Sequence, residues 1–505
     1  MTDARFQESE SGPKRIHAHD LFATLPPEWP HDPMPEIQRL IAASRAKVVV
    51  LDDDPTGTQS VHDVPVLTEW SVESLRRELG SDGHCFFILT NSRSLPPDQA
   101  RALNCQIARN LLAAASGECF DVVSRSDSTL RGHFPLETDA LSEVLGPFDG
   151  VVLVPFFETG GRHTIQDFHY LAEGEWLTPV AQTQFARDVT FGYRNSNLRA
   201  WVEEKSDGRI RAENVASIAI ETIRRGGPKQ VCQSLMGLHC GCTCVVNVAS
   251  GRDLLVFVLG LLQAQAAGKR FIFRTAASFA AARAGIGPRL LLTAAELFGD
   301  QASTRDSSVE TQDPKSETRD PGIGGLVVVG SYVPTSSEQL RELLASGRTV
   351  NVELNVRAVL ADEEHAELAR ASAAVNAALA AGRDTVLYTS RELVTGCDAA
   401  DSLAICRRVS GALMEILNRI SVRPRFAVAK GGITSSDVAT GPLRVKRAMV
   451  LGQILPGVPL WRMGTEGRWP DLIYVSFPGN LGGATALRDV VDKLSGNREI
   501  GHSSA

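Results

Sequence analysis

Val48-Val49-Val50-Leu51-Asp52-Asp53-Asp54-Pro55-Thr56-Gly57-Thr58 runs from an apolar stretch straight into three adjacent carboxylates and a turn. The apolar run predicts a buried strand that presents the acidic cluster at its carboxyl end. In an open α/β sheet that rim is where ligands bind. Adjacent carboxylates repel one another, so burying three of them makes sense beside a cation, a metal or a polyol. A solvated acidic turn is the plainer alternative.

Three further polar clusters follow apolar runs in the first half of the chain. Phe86–Leu89 leads into Thr90-Asn91-Ser92-Arg93-Ser94, and Val122-Val123 into Ser124-Arg125-Ser126-Asp127-Ser128-Thr129-Leu130-Arg131-Gly132-His133. Val151–Val154 leads into Pro155-Phe156-Phe157-Glu158-Thr159-Gly160-Gly161-Arg162-His163. Parallel strand ends converge on one rim, so the clusters predict one pocket. Its inventory is acids (Asp53, Asp54, Asp127), guanidiniums (Arg93, Arg125, Arg131, Arg162) and neutral polar groups (Thr90, Asn91, Ser128, Thr129). Arginine forks match the paired oxygens of carboxylates and phosphates. Carboxylates and amides match sugar hydroxyls. The ligand that fits both is a small polyhydroxylated acid, and internal pairing of the arginines with the acids is the alternative.

Around these clusters, strands are expected at Val48–Leu51, Cys85–Leu89, Val122–Val123, Val151–Val154, Cys244–Val248 and Phe271–Phe273, with helical spacing over Val72–Leu79 and Gln99–Ala115. Residues 299–325 are polar and rich in Ser, Thr, Asp and Pro, which predicts a flexible linker or insertion. After it, strands are expected at Leu326–Val329, Thr349–Val352, Thr385–Tyr388, Arg425–Val428 and Leu472–Val475. Helices are expected at Ser337–Ala345, Glu363–Ala381 and Ser402–Ile420. Residues 1–40 resemble a polar tail with clustered prolines, and Ser495–Ala505 a frayed end. The alternation predicts two α/β domains with mostly parallel sheets, 41–298 and 326–495, with an active-site cleft between them.

The second half offers glycine turns after strands. Lys430-Gly431-Gly432-Ile433-Thr434-Ser435 precedes a hydroxyl-rich helix start, where backbone N–H groups and the helix dipole suit phosphate. It is not a Walker A loop, because Lys430 precedes the glycines. Ser435 is equally compatible with a helix N-cap that meets no ligand. Gly479-Asn480-Leu481-Gly482 and Gly330-Ser331 are two more such turns. A pocket for a small acid in one half and phosphate turns in the other suggest phosphoryl transfer, with domain closure excluding water.

Composition narrows the remaining classes. The 505 residues carry 43% hydrophobic and 22% charged side chains, as soluble enzymes do. The formal net charge of −7 does not suggest a nucleic-acid or anionic-membrane partner. No apolar run reaches membrane-spanning length and Met1–Pro30 has no signal-peptide pattern, so a cytoplasmic protein is expected. Among nine cysteines, Cys240, Cys242 and Cys244 stand beside His239. Their alternation along a strand is poor for tetrahedral zinc, and reduced, half-buried thiols are expected.

In order along the chain, Asp53-Asp54-Pro55-Thr56-Gly57, Thr90-Asn91-Ser92-Arg93, Asp127-Ser128-Thr129-Leu130-Arg131-Gly132, Gly330-Ser331, Gly431-Gly432-Ile433-Thr434-Ser435 and Gly479-Asn480-Leu481-Gly482 resemble the four-carbon acid sugar kinase family. That family includes the threonate, erythronate and 3-oxo-tetronate kinases, and the likeness runs from Val48 to Leu487. The resemblance implies an acid-sugar-binding first domain, an ATP-binding second domain and a phosphorylated four-carbon acid as product. It implies substrate contacts at Asp53, Asp54, Arg93, Asp127 and Arg131. ATP contacts carry over to Ser331, Gly431, Gly432, Ile433, Thr434 and Gly482, to which the turn chemistry adds Ser435 and Gly479. Arg125 stands where the family has a lysine, and Val333 where it has a second serine.

The expected mechanism is in-line transfer with Mg²⁺ bridging the phosphates, Asp54 or Asp127 as proton acceptor, and Arg93 and Arg131 on the substrate carboxylate. ATP and Mg²⁺ are the expected cofactors, the acid sugar and ATP the expected partners, and a homodimer is compatible with the chain. Two rival readings remain open. Asp52-x-Asp54-x-Thr56 also fits the nucleophile motif of a haloacid dehalogenase-type phosphatase, and a non-catalytic sugar-acid binding protein would need the same pocket.

Overall fold

Unbroken apolar runs become strands buried on both faces. Lys47–Asp52 has all six residues buried, and it sits where a parallel sheet needs such a sequence. The computed structural model describes residues 14–496 except 45, 300–322, 362, 392, 393, 395, 396 and 398, and excepting the side chains of 399–403. The chain divides into two units, Met1–Pro288 and Arg289–Ala505.

The first unit contains β1 (Ile16–His17), β2 (Lys47–Asp52), β3 (Val64–Leu67), β4 (Cys85–Leu89), β5 (Phe120–Arg125), β6 (Gly150–Val154), β7 (Arg162–Ile165), β8 (Phe168–Glu173), β9 (Trp176–Pro179), β10 (Ala216–Ile218), β11 (Cys242–Val246) and β12 (Phe271–Thr275). Eight of them form a parallel sheet in the order β10-β11-β6-β12-β5-β2-β4-β3. Chain order reverses about β2, whose neighbours on either side are β4 and β5, which makes its carboxyl end the switch point of the sheet. Hydrogen bonding continues one step past the strand ends: Thr90 N–H donates to Asp52 O at 2.9 Å and Ser126 N–H to Thr275 O at 2.9 Å. The acidic turn, the Thr90 turn and the Ser126 turn therefore start at one level.

Helices with clear sequence signals cover this sheet. Ser71 caps Val72–Leu79, and Ser250 with Asp253 forms a capping box on Gly251–Ala266. A core of Val49, Leu51, Phe86, Ile88, Ile107, Leu111, Val122 and Leu141 lies between the strands and Pro97–Ala114 and Leu136–Leu145. An antiparallel sheet, β1-β9-β8-β7, was not expected from the sequence.

The expected polar tail is structured over much of its length. Of residues 1–40, 1–13 lie outside the described residues, but from Ile16 the chain is structured. It forms β1, the helix Ala18–Ala23 and a helix starting at Met34, and buries Leu21 and Ile37. Pro26, Pro27, Pro30 and Pro33 fall between these elements and Pro35 in the first turn of the second helix, where no N–H is needed, and the four apolar side chains Ile16, Leu21, Ile37 and Ile41 supply enough burial to order them. The expected linker 299–325 falls almost wholly outside the described residues.

The second unit contains β13 (Leu326–Val329), β14 (Val350–Leu354), β15 (Thr385–Thr389), β16 (Phe426–Lys430), β17 (Arg447–Leu455), β18 (Val458–Met463) and β19 (Ile473–Phe477). Strands β14-β15-β13-β16-β19 are parallel, and β19-β18-β17 continue as antiparallel neighbours. The β17–β18 hairpin was missed, although Pro456-Gly457 marks its turn and β17 alternates half-buried and buried residues. Val327, Val329, Leu340, Val428, Val475, Leu487 and Val490 form its core. Both units are thus α/β with mostly parallel sheets. Among the described residues no helix is long and apolar enough to cross a membrane.

Candidate functional site

The first polar cluster is built on the carboxyl ends of β2, β4, β5 and β12. Asp53, 2% exposed, lies at its centre. Arg93 donates from Nη2 to Asp53 Oδ1 at 2.7 Å and from Nε to Oδ2 at 3.2 Å, a two-pronged fork. The Ser126 hydroxyl also donates to Asp53 Oδ2. Gly132 closes over this group with φ +119°, and a Cβ there would overlap Ser126 Oγ and approach Asp53 Oδ2 to 3.1 Å. Only glycine fits that crossing.

Asp54 and Asp127 face outward beside it. Asp54 Oδ1 accepts from Thr56 N at 2.8 Å and Thr56 Oγ1 at 2.6 Å, while Arg93 Nη2 stands 3.3 Å from Oδ2. Asp127 is bonded on Oδ2: by the Thr129 hydroxyl, by Arg131 Nε at 2.7 Å and by Arg131 N at 3.4 Å. Burial raises the proton affinity of both carboxyls, but the guanidiniums and hydrogen bonds outweigh it and hold both below the usual carboxylate range. Both stay ionised near neutrality.

Asp52 behaves differently. It is 1% exposed, its Oδ1 accepts from Arg125 Nη1 at 2.9 Å, and its Oδ2 is buried without a hydrogen bond. Burial pushes it up to about 7 despite Arg125. Gly57 lies so close that a Cβ would occupy the space of the Asp52 carboxyl. A nucleophile that must reach a phosphate cannot be sealed this way, which speaks against the aspartyl-phosphate reading.

Several expected ligand contacts turn inward. Thr90 Oγ1 donates to Asp52 O at 2.9 Å, Arg125 is 4% exposed, and Ser128 is 8% exposed with its carbonyl hydrogen-bonded to His169 Nε2 at 2.8 Å. Asn91, half-buried, holds the left-handed conformation at φ 50° that starts the Arg93 turn. Arg93, Asp54, Asp127 and Arg131 keep part of their surface open, and Arg162 reaches the group through Phe185, whose ring lies 5.0 Å from the Arg131 guanidinium and 6.0 Å from that of Arg162.

Other residues of the cluster escaped the sequence. Glu137, 3% exposed, accepts from Ser92 Oγ at 2.5 Å, and burial followed by Asp53 pushes it up to about 7. Arg274, 3% exposed, donates to Arg131 O at 2.9 Å. A lone arginine inside Phe271-Ile272-Phe273-Arg274-Thr275 was the available signal. His169 and Tyr193, whose hydroxyl donates to Thr129 O at 2.6 Å, fix the Asp127 turn from the side. Burial pushes His169 down to about 4, so it stands neutral there.

The second cluster lies on the carboxyl ends of β13, β16 and β19. Gly431, at φ +109°, would put a Cβ 2.9 Å from Ser331 Cβ, and Gly330 would put one 2.7 Å from Thr434 Oγ1. Gly479 stands 3.8 Å from Ser331 Oγ on the same measure. Gly482, at φ +85°, is held by Gln339, whose Nε2 donates to the carbonyls of Leu481, Gly482 and Gly483 at 2.9, 3.2 and 2.9 Å. The helix Gly432–Thr440 starts here, and its first backbone bond is Ser435 N to Gly431 O. The N–H groups of Gly432, Ile433 and Thr434 thus precede the ladder, which suits an anion. Ile433 is 64% exposed. Ser435 is fully buried, donates to Ala429 O at 2.8 Å, and is neither an N-cap nor an open ligand contact. Lys430 is also fully buried, and donates to the carbonyls of Pro478 and Gly479; it ties two turns together, and burial pushes it down to about 7.

These turns fit a polyphosphate, since those after β13 and β16 crowd so closely that Gly330 and Gly431 admit no side chain, and the Gly479 turn packs beside them in ordinary contact. Among the described residues no group of three His, Cys, Asp or Glu side chains could hold a metal. That includes the cysteines near His239: Cys240 is exposed, Cys242 half-buried and Cys244 buried. Magnesium, which often binds through one or two carboxylates plus substrate phosphates, is compatible with Asp54 or Asp127 on that basis.

Comparison with known proteins agrees with this division. Residues 48–283 match a family described as a sugar-binding N-terminal domain, and residues 326–487 one described as a nucleotide-binding C-terminal domain. The chain is 30% identical over 149 residues to a D-erythronate kinase of Heliobacterium modesticaldum, a match covering 28% of this chain and only 32% of that protein. It is 24% identical over 473 residues to a D-threonate kinase of Salmonella typhimurium, covering 88% of this chain and 97% of the other. A solved Haemophilus influenzae protein of the DUF1537 family has the same fold, with a TM-score of 0.56 at 16% identity over 88% of this chain and 100% of that one.

Proposed function

Because the chain belongs to the four-carbon acid sugar kinase family, we propose that it transfers the γ-phosphoryl group of ATP to a hydroxyl of a four-carbon acid sugar of the threonate, erythronate or 3-oxo-tetronate type. In this reading residues 41–298 bind the acid and residues 326–495 the nucleotide. The observation that carries it is the contrast between the clusters: one of carboxylates and guanidiniums, the other of glycine turns and unladdered N–H groups.

Asp127 is the better placed proton acceptor. Asp54 spends Oδ1 on Thr56 and Oδ2 on Arg93, whereas the hydrogen bonds of Asp127 all fall on Oδ2. Arg131 and Thr129 orient the carboxylate so that Oδ1 meets the attacking hydroxyl. Its low proton affinity suits a step in which the proton leaves late, as the oxygen bonds to phosphorus. Asp54 and Arg93 position the substrate hydroxyls. Magnesium, when bound with ATP, would supply charge neutralisation on the phosphates.

An ADP-release screen with Mg-ATP over the threonates, erythronates and their 3-oxo forms tests the reading. Release with at least one acid and none with the matching neutral polyol is expected. Binding of acids without any ADP release would favour the non-catalytic alternative.

A further inference from the structure

Five guanidiniums gather around the carboxylates of the first unit, and they are not alike. Arg93 pairs with Asp53 and Asp54, Arg125 with Asp52, and Arg131 with Asp127 and, at 3.7 Å, Asp188. Arg274 is sealed in the core and donates to the carbonyls of Arg131 and Thr275. Arg162 is half-buried rather than sealed, and among the described residues no carboxylate lies within ion-pair distance of it. Its Nη1 donates only to the Gly160 carbonyl of its own turn, and its Nε is buried with no acceptor.

The surroundings make this a prepared position. Arg162 opens β7, where backbone bonds between Phe157 and Arg162 at 3.1 and 2.9 Å close the Glu158–Gly161 turn. Phe185, half-buried in the short helix Gln184–Arg187, lies within cation–π range of both Arg162 and Arg131. Asp188, just beyond it, draws on Arg131 and not on Arg162. A partly desolvated guanidinium with unmatched donors is complementary to a planar carboxylate. Of the two guanidiniums expected from the sequence to take that group, Arg93 has its fork filled by Asp53 and Asp54, and Arg131 is held to Asp127 through Nε with Asp188 3.7 Å from its Nη1.

We propose that Arg162, backed by Phe185, receives the substrate's carboxylate and is the specificity-determining residue that separates four-carbon acids from neutral four-carbon polyols. This rests on the acid sugar kinase reading above. Arg162 acts on binding and not on the transferred group, so its loss raises KM and leaves kcat largely intact.

The test uses the full chain, with titration calorimetry and ADP release, on D-erythronate, D-threonate, erythritol and threitol. Arg162→Gln is expected to weaken binding of the preferred acid by about 10- to 100-fold, the range of a charge-assisted hydrogen bond. ATP affinity and the weak binding of the polyols should not move. Arg162→Lys, which keeps the charge but loses the fork, should recover part of the affinity, an outcome that a misfolded pocket would not give. Phe185→Ala should weaken acid binding less than Arg162→Gln does. Acid affinity in Arg162→Gln within twofold of the parent overturns the inference alone. A parent chain that binds none of the threonates, erythronates and their 3-oxo forms removes the kinase reading and the inference with it.

Discussion

Gly431 and Ser331 meet so closely that a Cβ on the glycine would stand 2.9 Å from that of the serine. The turns after β16 and β13 therefore touch at a point that admits no side chain on one partner. Gly431 also sits at φ +109°, where an L-residue is strained. Gly431→Ala should cost roughly 1–3 kcal/mol of stability in the second unit. It should also weaken ATP binding, while acid sugar binding stays at the parent level. Calorimetric titration with each ligand reads both effects, and unchanged ATP affinity would take these turns out of the nucleotide site.

Asp127→Asn keeps the shape of the side chain and removes its ability to take a proton. General-base catalysis is worth about 10²- to 10⁴-fold, so kcat should fall by that much with ATP affinity preserved. Steady-state ADP release decides it, and near-normal turnover would transfer the role to Asp54.

Asp52→Asn separates two chemistries. In the kinase reading kcat survives, because Asp52 is sealed beneath Gly57 and touches no substrate. Stability should drop by about 1–3 kcal/mol, since buried Arg125 loses its closest carboxylate. A dead but folded variant would restore the aspartyl-phosphate alternative.

Glu137 gives a pH signature. Its folded value of about 7 stands above the ordinary 4.5, so the folded chain holds this proton more tightly than the unfolded chain does. The stability it contributes is present below about pH 4.5 and is lost as pH rises through about 7. Asp52 shifts in the same direction, whereas His169, pushed down to about 4, acts with the opposite sign. The clean comparison is therefore Glu137→Gln against the parent. Urea unfolding from pH 5 to pH 8 should show the variant gaining on the parent as pH rises, and a difference that does not vary with pH would contradict the assignment.

Much of the architecture could be taken from short windows of residues. Val48–Leu51, Cys85–Leu89 and Phe271–Phe273 contain no alternation because both faces of their strands are covered, and that pattern survives any context. The glycine turns after β13, β16 and β19 were visible for the same reason, as a strand followed by backbone freedom. The β7–β9 sheet and the β17–β18 hairpin were missed, because half-buried strands interrupted by polar residues look like loops until their partners are known. The amino-terminal helices were hidden among prolines, four of which fall between them and one, Pro35, in the first turn of the second.

Residue types alone determined that carboxylates, arginines and glycine turns stand at strand ends, since each motif is contiguous and its chemistry is local. Tertiary structure alone decided which of them remain free. Asp53 meets Arg93, Asp52 meets Arg125, Thr90 and Ser435 turn inward, and among the described residues Arg162 has no carboxylate within ion-pair distance and a buried Nε with no acceptor. Those outcomes depend on how far side chains from separate strands reach toward one another, and charge pairing falls off so steeply with distance and burial that no spacing along the chain specifies it.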